Sequence, residues 1–293
     1  MMKTAAIFPN PKQEIDFSVL DKLFGILYKN DCAILMSENY RDITENYTGV
    51  TYIKTMETGA DSPLSMAEMI IVLGGDGSIL GASKIASVND IPILGINLGH
   101  VGYMAELEIH EIELAEKIIK GEIKAKIEER IMLDVSVERE GEVIYKSAPA
   151  LNDAILSNGP VSRLISFNLF CDGSSAGNYR ADGMIVATPT GSTAYSMSAG
   201  GPVLDPCLDS LCVTPICSHS LMSRPVVFKG NSVLELKNMM CRDNKKYLTV
   251  DGRDSICLED GDVIKIQRSE YVTKLIRVKD GGFLNTLRIK MSE

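Results

Sequence analysis

The hydrophobic pattern changes period part-way along the chain, and that change limits the folds open to it. Up to about residue 121 the apolar residues fall in short unbroken runs, "TAAIF", "CAILMS", "MIIVL" and "IPILGIN". Unbroken runs suit strands buried on both faces, as in a parallel sheet covered by helices. The stretches between them have helical spacing. "IDFSVLDKLFGILYKN" aligns Ile15, Val19, Leu23, Ile26 and Leu27, and "SILGASKIASV" and "EIELAEKIIKG" follow the same period. From about residue 122 the period drops to two. Ile131, Leu133, Val135 and Val137 share one face of "IMLDVSVE", and Ile165, Phe167 and Leu169 share one face of "LISFNLF". "SVLELK", "YLTV" and "DVIKIQ" continue the alternation, with Asp-Gly and Asn-Gly pairs at turns. A chain of 293 residues exceeds one ordinary core. The expectation is a doubly wound α/β domain over residues 1–121 and a mostly antiparallel β domain over 122–270. A last segment, 271–293, contains the helical "GGFLNTLRIKM" and is expected to pack back on the first domain.

Charge and cysteine usage exclude several classes of function. Thirty basic against 39 acidic residues give a net charge of -9, with no Lys/Arg cluster, so a nucleic-acid footprint is missing. The seven cysteines form no CxxC pair, which suggests reduced thiols in a cytoplasmic protein. Cys207, Cys212, Cys217 and His219 crowd together, but at spacings that match no common zinc arrangement. The N-terminal "MMKTAAIFPNPK" lacks the apolar core of a signal peptide, and no run approaches the length of a membrane-spanning helix.

The stretch "IIVLGGDGSILG" carries a strand into two glycines, an aspartate, a third glycine and a helix. Backbone amides converge at such a helix start and suit a phosphate. It is not a P-loop, and Leu80 stands where a GxGxxG fingerprint beginning at Gly75 needs its last glycine. Asp76 is the informative residue, because a lone anion would repel phosphate. It either holds Mg²⁺ on a nucleotide or accepts a proton from an attacking hydroxyl. The bland alternative is an aspartate that caps the following helix. A second stretch, "DGMIVATPTGSTAYSMSAGGP", gathers proline, glycine and hydroxyl residues around one tyrosine, a composition suited to a nucleoside.

"GGDGS", "GINLGHVGY", "LNDAIL", "DGMIVATPTGSTAYSMSAGGP" and "HSLMSRP" occur in the order found in NAD kinases, which phosphorylate the 2′-hydroxyl of NAD to make NADP. The chain resembles that family from its first strand to its final helix. The resemblance implies an active site between an α/β and a β domain, ATP as donor, and a divalent cation such as Mg²⁺ carried by ATP. It also implies a homo-oligomer, dimer or tetramer; no resident metal is expected, and the charge and hydropathy above leave no nucleic acid or membrane partner expected. Carried onto this chain, Asp76 resembles the base acting on the 2′-hydroxyl, and Gly74, Gly75, Gly77 and Ser78 resemble the phosphate-binding turn. Asp76 and Gly77 also fall among the NAD-binding positions. Asn152 and Asp153 match the ribose-binding motif, while Arg180 and Asp182 match positions lining that site. Thr190, Thr193, Ala194, Tyr195, Ser196, Met197 and Ser198 match the NAD-binding loop.

Three positions depart from the family pattern. Ser78 stands where Thr is common, and keeps the hydroxyl. Asp153 replaces the usual Glu, one methylene longer. Arg253, counted with the NAD site, puts a cation where the family's DGQ has a neutral amide. His219 fits equally a place near phosphates and a structural role.

The reading is an ATP-dependent NAD kinase. A lipid or sugar kinase with a similar GGDG turn is the rival enzyme, though it needs no TPTGSTAY loop. A catalytically idle NAD(P)-binding sensor is the rival from another class, and there Asp76 is dispensable.

Overall fold

The computed structural model describes residues 4–10, 17–54, 63–99, 102–159, 164–219, 223–238, 245–280 and 282–290. The chain divides into two compact units. One holds the described residues up to Glu129 together with those from Thr273 onward, and the other is Arg130–Val272.

In the first unit the unbroken apolar runs form a parallel sheet. Its strands run in the order Val50–Ile53, Ala33–Ser37, Thr4–Pro9, Met69–Leu73, Ile93–Asn97. Every residue of Met69–Leu73 and of Ile93–Asn97 is buried, as central strands covered on both faces must be. The short strand Leu107–Glu108 joins Ile93–Asn97 in parallel, and Leu275 pairs with Ile93 beside it. Helix Phe17–Lys29 buries Val19, Leu20, Leu23, Phe24 and Leu27. Ile26 is only half-buried, and Ile15 lies outside the described residues. Helix Glu113–Lys120 stops at Gly121, whose φ of 72° supplies the left-handed turn that ends many helices. Asp76–Val88 is the third helix, and Gly282–Lys290 follows the last strand.

In the second unit the alternating segments form two antiparallel sheets. One runs Val226–Lys229, Ser210–Ile216, Gly183–Ala187, Asp153–Asn158, Lys246–Val250, Asp254–Leu258. The other contains Ser174–Ala181, Ile165–Cys171, Leu234–Asn238 and the first part of Val263–Arg277. Lys126–Arg139 pairs with that last strand and with Glu142–Lys146. Residues of both sheets meet in one core. Ile131, Leu133, Val135 and Val137 enter it from one strand, Ile165, Phe167 and Leu169 from another, and Leu156 and Val186 from the facing sheet. Phe167 is fully buried and stacks on Tyr179 with ring centroids 5.7 Å apart. Burial of one such side chain stabilises the fold by about 1.5–3 kcal/mol.

The expected architecture, α/β first and antiparallel β second, is therefore the observed one. Among the described residues no helix is long and apolar enough to cross a membrane.

Candidate active site

The glycine turn leaves the carboxyl end of Met69–Leu73, where loops of a parallel sheet gather ligand-binding groups. Gly74 has a φ of 147°, and a Cβ there would meet Ser78 Oγ at 2.3 Å. Only glycine fits both demands. Its amide donates to the Ile96 carbonyl at 2.9 Å, so it is committed to the sheet rather than aimed at a ligand. Any anion site in this turn rests on the helix start beyond Gly74, where the dipole is positive. Gly75 is the N-cap of the helix and Asp76 its first residue, with no side-chain capping bond. Asp76 is thus not the cap that the bland reading expects.

Its carboxylate is bound elsewhere in the same unit. Oδ2 accepts from the Tyr103 amide at 2.8 Å and Oδ1 from the Met104 amide at 3.0 Å. These residues follow the adjacent strand, Ile93–Asn97, whose buried Asn97 organises the turn by donating to Gly99 O and accepting from Gly99 N. Two of the roughly four acceptor sites of a carboxylate are thereby filled and its plane is fixed. The close approach requires Gly102, since a Cβ there would lie 2.2 Å from Asp76 Oδ1. Burial, and then the negative charge of Asp76, push the Tyr103 phenol up from its ordinary range.

In the second unit another carboxylate plays the same part. Asp251 accepts from the amides of Leu151, Asn152 and Asp153 at 2.9, 2.8 and 3.2 Å, and its own amide donates to Asp153 O at 3.0 Å. Its φ of 50° is left-handed, a conformation aspartate tolerates better than most residues. The Asn152–Asp153 segment is also tied to the hydroxyl-rich loop. Thr188 N donates to Asn152 O at 2.9 Å, and Thr188 Oγ1 to Leu151 O at 2.6 Å. Gly191 packs so closely that a Cβ would sit 2.1 Å from Asn152 O. Asp153 is 4% exposed. Burial, and then the charge of Asp251, push its carboxyl up to about 7.

Several loop hydroxyls serve the loop itself. Ser196 is fully buried against Thr214, with oxygens 2.9 Å apart. Thr190 Oγ1 accepts from buried Arg130 at 3.2 Å, and Thr193 Oγ1 donates to Thr190 O. Tyr195 and Met197 are exposed on the one-turn helix Tyr195–Ser198 that begins after Ala194, and so is Ser198. Arg180 and Asp182 are not brought to this cluster within the chain. Asp182 lies level with Asn158, bonded to its side chain, at the far end of the Asp153–Asn158 strand. By strand rise that is roughly 16 Å from Asp153. His219 is exposed, and its amide donates to Arg180 O, while Ser220, Leu221 and Met222 of "HSLMSRP" lie outside the described residues. Arg253 is exposed in the turn after Asp251.

Residues 6–123 match the ATP-NAD kinase N-terminal domain, and residues 151–278 match the ATP-NAD kinase C-terminal domain. The chain is 37% identical over 294 residues to the NAD kinase of Natranaerobius thermophilus, covering 99% of this chain and 98% of that protein. The chain belongs to the ATP-NAD kinase family. The NAD kinase of Acidobacterium capsulatum is equally similar, 37% identical over 292 residues with 99% and 98% of the two chains covered. The fold is shared with yeast NADH kinase, solved as a complex with NADH, at a TM-score of 0.85 and 22% identity over 99% of this chain and 88% of that one. An NAD kinase from Archaeoglobus fulgidus, solved in complex with ATP, gives a TM-score of 0.71 and 24% identity over 99% and 98%.

For a member of the ATP-NAD kinase family, the sequence motifs identify Asp76 and Asp153 but not the groups that hold them. Gly102 and Gly191 have no side chain, and the Asp251 carboxylate accepts backbone amides. Their signal is available only as motif membership, Gly102 within "GINLGHVGY" and Gly191 within "TPTGSTAY". Among the described residues no three His, Cys, Asp or Glu side chains are grouped to hold a metal ion, and the described cysteines are free.

Two expected outcomes follow from this geometry. Asp153, with its folded carboxyl near 7 against an ordinary 3.8, binds its proton more tightly when folded. Its contribution to stability is therefore full below pH 3.8 and is lost as pH rises through about 7. Asp153→Asn should flatten the pH dependence of denaturant midpoints across this window and be relatively more stable at pH 8, as read from urea titrations. Gly102→Ala should fold but displace the Asp76 carboxylate, lowering turnover by about 10²-fold, the scale of small misplacements. Unchanged turnover in a rate assay would show that the loop gives way without cost.

Proposed function

We infer that this chain phosphorylates NAD, moving the γ-phosphoryl group of ATP to the 2′-hydroxyl of the adenosine ribose and giving NADP. The observation that carries the reading is the full-length similarity to curated NAD kinases, 37% identical over 99% of the chain. A neighbour in fold solved with NADH and another solved with ATP support the two substrates.

Phosphoryl transfer of this kind passes through a loose transition state, so alignment and charge neutralisation supply most of the rate. Asp76 fits that demand. The Tyr103 and Met104 amides fix its plane, and the remaining lone pairs receive the 2′-hydroxyl. A carboxylate is a weak base for an alcohol. Asp76 therefore orients the hydroxyl first and takes its proton late, as oxygen–phosphorus bonding develops. Gly75, Gly77 and Ser78 sit at the helix start, where the dipole favours phosphate. Mg²⁺ enters as part of the Mg·ATP substrate.

Asn152 and Asp153 hold the ribose of NAD, in a segment whose amides are already satisfied by Asp251. Exposed Tyr195 packs on a base or ribose, while buried Ser196 and Arg130-bound Thr190 give the loop its shape. Arg180, Asp182 and Arg253 belong to the NAD site by motif. A homo-oligomer and a cytoplasmic location complete the reading, the latter supported by the cysteine usage. Sedimentation velocity tests the former, and cell fractionation the latter.

The deciding experiment incubates purified protein with NAD or NADH, ATP and Mg²⁺ and measures phosphorylated products. No NADP or NADPH would leave the idle sensor. Asp76→Asn should keep its affinity for NAD and lose about 10²-fold or more in turnover, the scale of a positioned acid–base group. Loss of NAD affinity alone would make Asp76 a binding residue. Tyr195→Ala should raise KM for NAD while leaving KM for ATP near its original value, the signature of lost substrate binding. Equal rises for both substrates would remove Tyr195 from the NAD site.

A further inference from the structure

We propose that Arg277 is a positioning residue for Asp76, acting through the Tyr103–Met104 backbone. The inference rests on the reading of Asp76 as the group that receives the substrate hydroxyl. Arg277 ends the strand Val263–Arg277, and its guanidinium grips the same two residues whose amides hold Asp76, from the carbonyl side. Nη1 donates to Met104 O at 2.9 Å, and Nη2 makes a longer bond to Tyr103 O at 3.4 Å. The Tyr103 carbonyl and the Met104 amide belong to one peptide group. That group therefore lies between a guanidinium on its oxygen and the Asp76 carboxylate on its hydrogen. Charges of these signs polarise the peptide in the direction that strengthens both bonds. The peptide plane cannot rotate to follow one partner without leaving the other.

The arginine is itself fixed. Nε donates to Glu128 Oε1 at 3.0 Å, and Nη1 also reaches Glu106 Oε2 at 3.2 Å. The second oxygen of Glu106 accepts from the amides of Val278 and Lys279 at 2.7 and 2.6 Å. A planar fork with donors on three nitrogens meets two carboxylates and two carbonyls at once, which a lysine ammonium on a flexible stem cannot reproduce. Without the guanidinium, the Tyr103 and Met104 carbonyls and the nearly buried Glu106 lose their cation. The loop is then free to reorient, and the Asp76 carboxylate loses the plane that its amide partners set.

A purely structural ion-pair cluster would also destabilise the protein when broken, so the test has to separate position from stability. Arg277→Met, Arg277→Lys and Asp76→Asn, and each arginine variant combined with Asp76→Asn, are assayed with NAD and Mg·ATP well below their melting temperatures. Enough enzyme is used to quantify residual turnover. If Arg277 acts through Asp76, Arg277→Met lowers kcat by about 10-fold or more while KM for NAD and ATP changes by less than about twofold, and Arg277→Lys retains part of the activity. In the Asp76→Asn background the same substitution costs less than about twofold, because the group it positions is already lost. An equal fractional loss in both backgrounds, or a loss confined to KM, overturns the proposal. If Arg277→Met does not fold, Arg277→Lys carries the same cycle. Near-normal turnover of Asp76→Asn alone would overturn the reading of Asp76 and this inference with it, whereas failure of the cycle alone leaves that reading standing.

Discussion

A carboxylate accepting hydrogen bonds from successive backbone amides is the interaction on which a key loop in each unit depends. Loops have no ladder to satisfy their N–H groups, yet those groups must be paired when buried. Asp76 satisfies two of them, at Tyr103 and Met104, and Asp251 satisfies three, at Leu151, Asn152 and Asp153. An ionised acceptor makes these bonds stronger than neutral ones. The consequence differs in the two cases. The clamp on Asp76 fixes the plane of the Asp76 carboxylate itself. Asp251 stays behind the loop and orients its neighbours.

The second arrangement has a cost that the first avoids. Asp251 builds the Asn152–Asp153 segment by bringing a negative charge beside a buried carboxyl, and burial together with that charge raises the affinity of Asp153 for its proton. The Asp153 carboxyl is thereby held well above the range of a free aspartate. Sites that recognise a ligand commonly carry strain of this kind, offset by the stability of the scaffold around them. Here the scaffold is a sheet whose core includes fully buried Ala154 and Leu156 on the same strand.

The parts of this molecule legible in its sequence are those governed by local period. Met69–Leu73 and Ile93–Asn97 read as strands covered on both faces because nothing polar interrupts them, and Ile131 to Val137 reads as a half-buried strand because every second residue is apolar. Asp76, Asp153 and the Thr190–Ser198 loop were legible as residue types in motifs. The groups that aim them were not, because a hydrogen bond from Leu151 to Asp251 spans 100 positions and leaves no periodic trace. The full length of Val263–Arg277 was hidden for a different reason. Ile264 and Ile266 set one alternation, but the next buried residues, Ser269, Thr273 and Leu275, are one position out of phase with it, and Leu275 and Ile276 are buried side by side. A pattern reader stops where the phase breaks, at "DVIKIQ".

That strand begins in the antiparallel unit and delivers Thr273–Arg277 to the parallel one, where Leu275 lies beside Ile93 and Arg277 beside Met104. The parallel unit is therefore discontinuous in sequence: the described residues up to Glu129 are joined by those from Thr273 onward. During synthesis the glycine turn is made well before the arginine that closes the loop holding Asp76, with all of Arg130–Val272 made between them. Until then Glu106 and the Tyr103 and Met104 carbonyls lack the guanidinium that they bind in the folded unit.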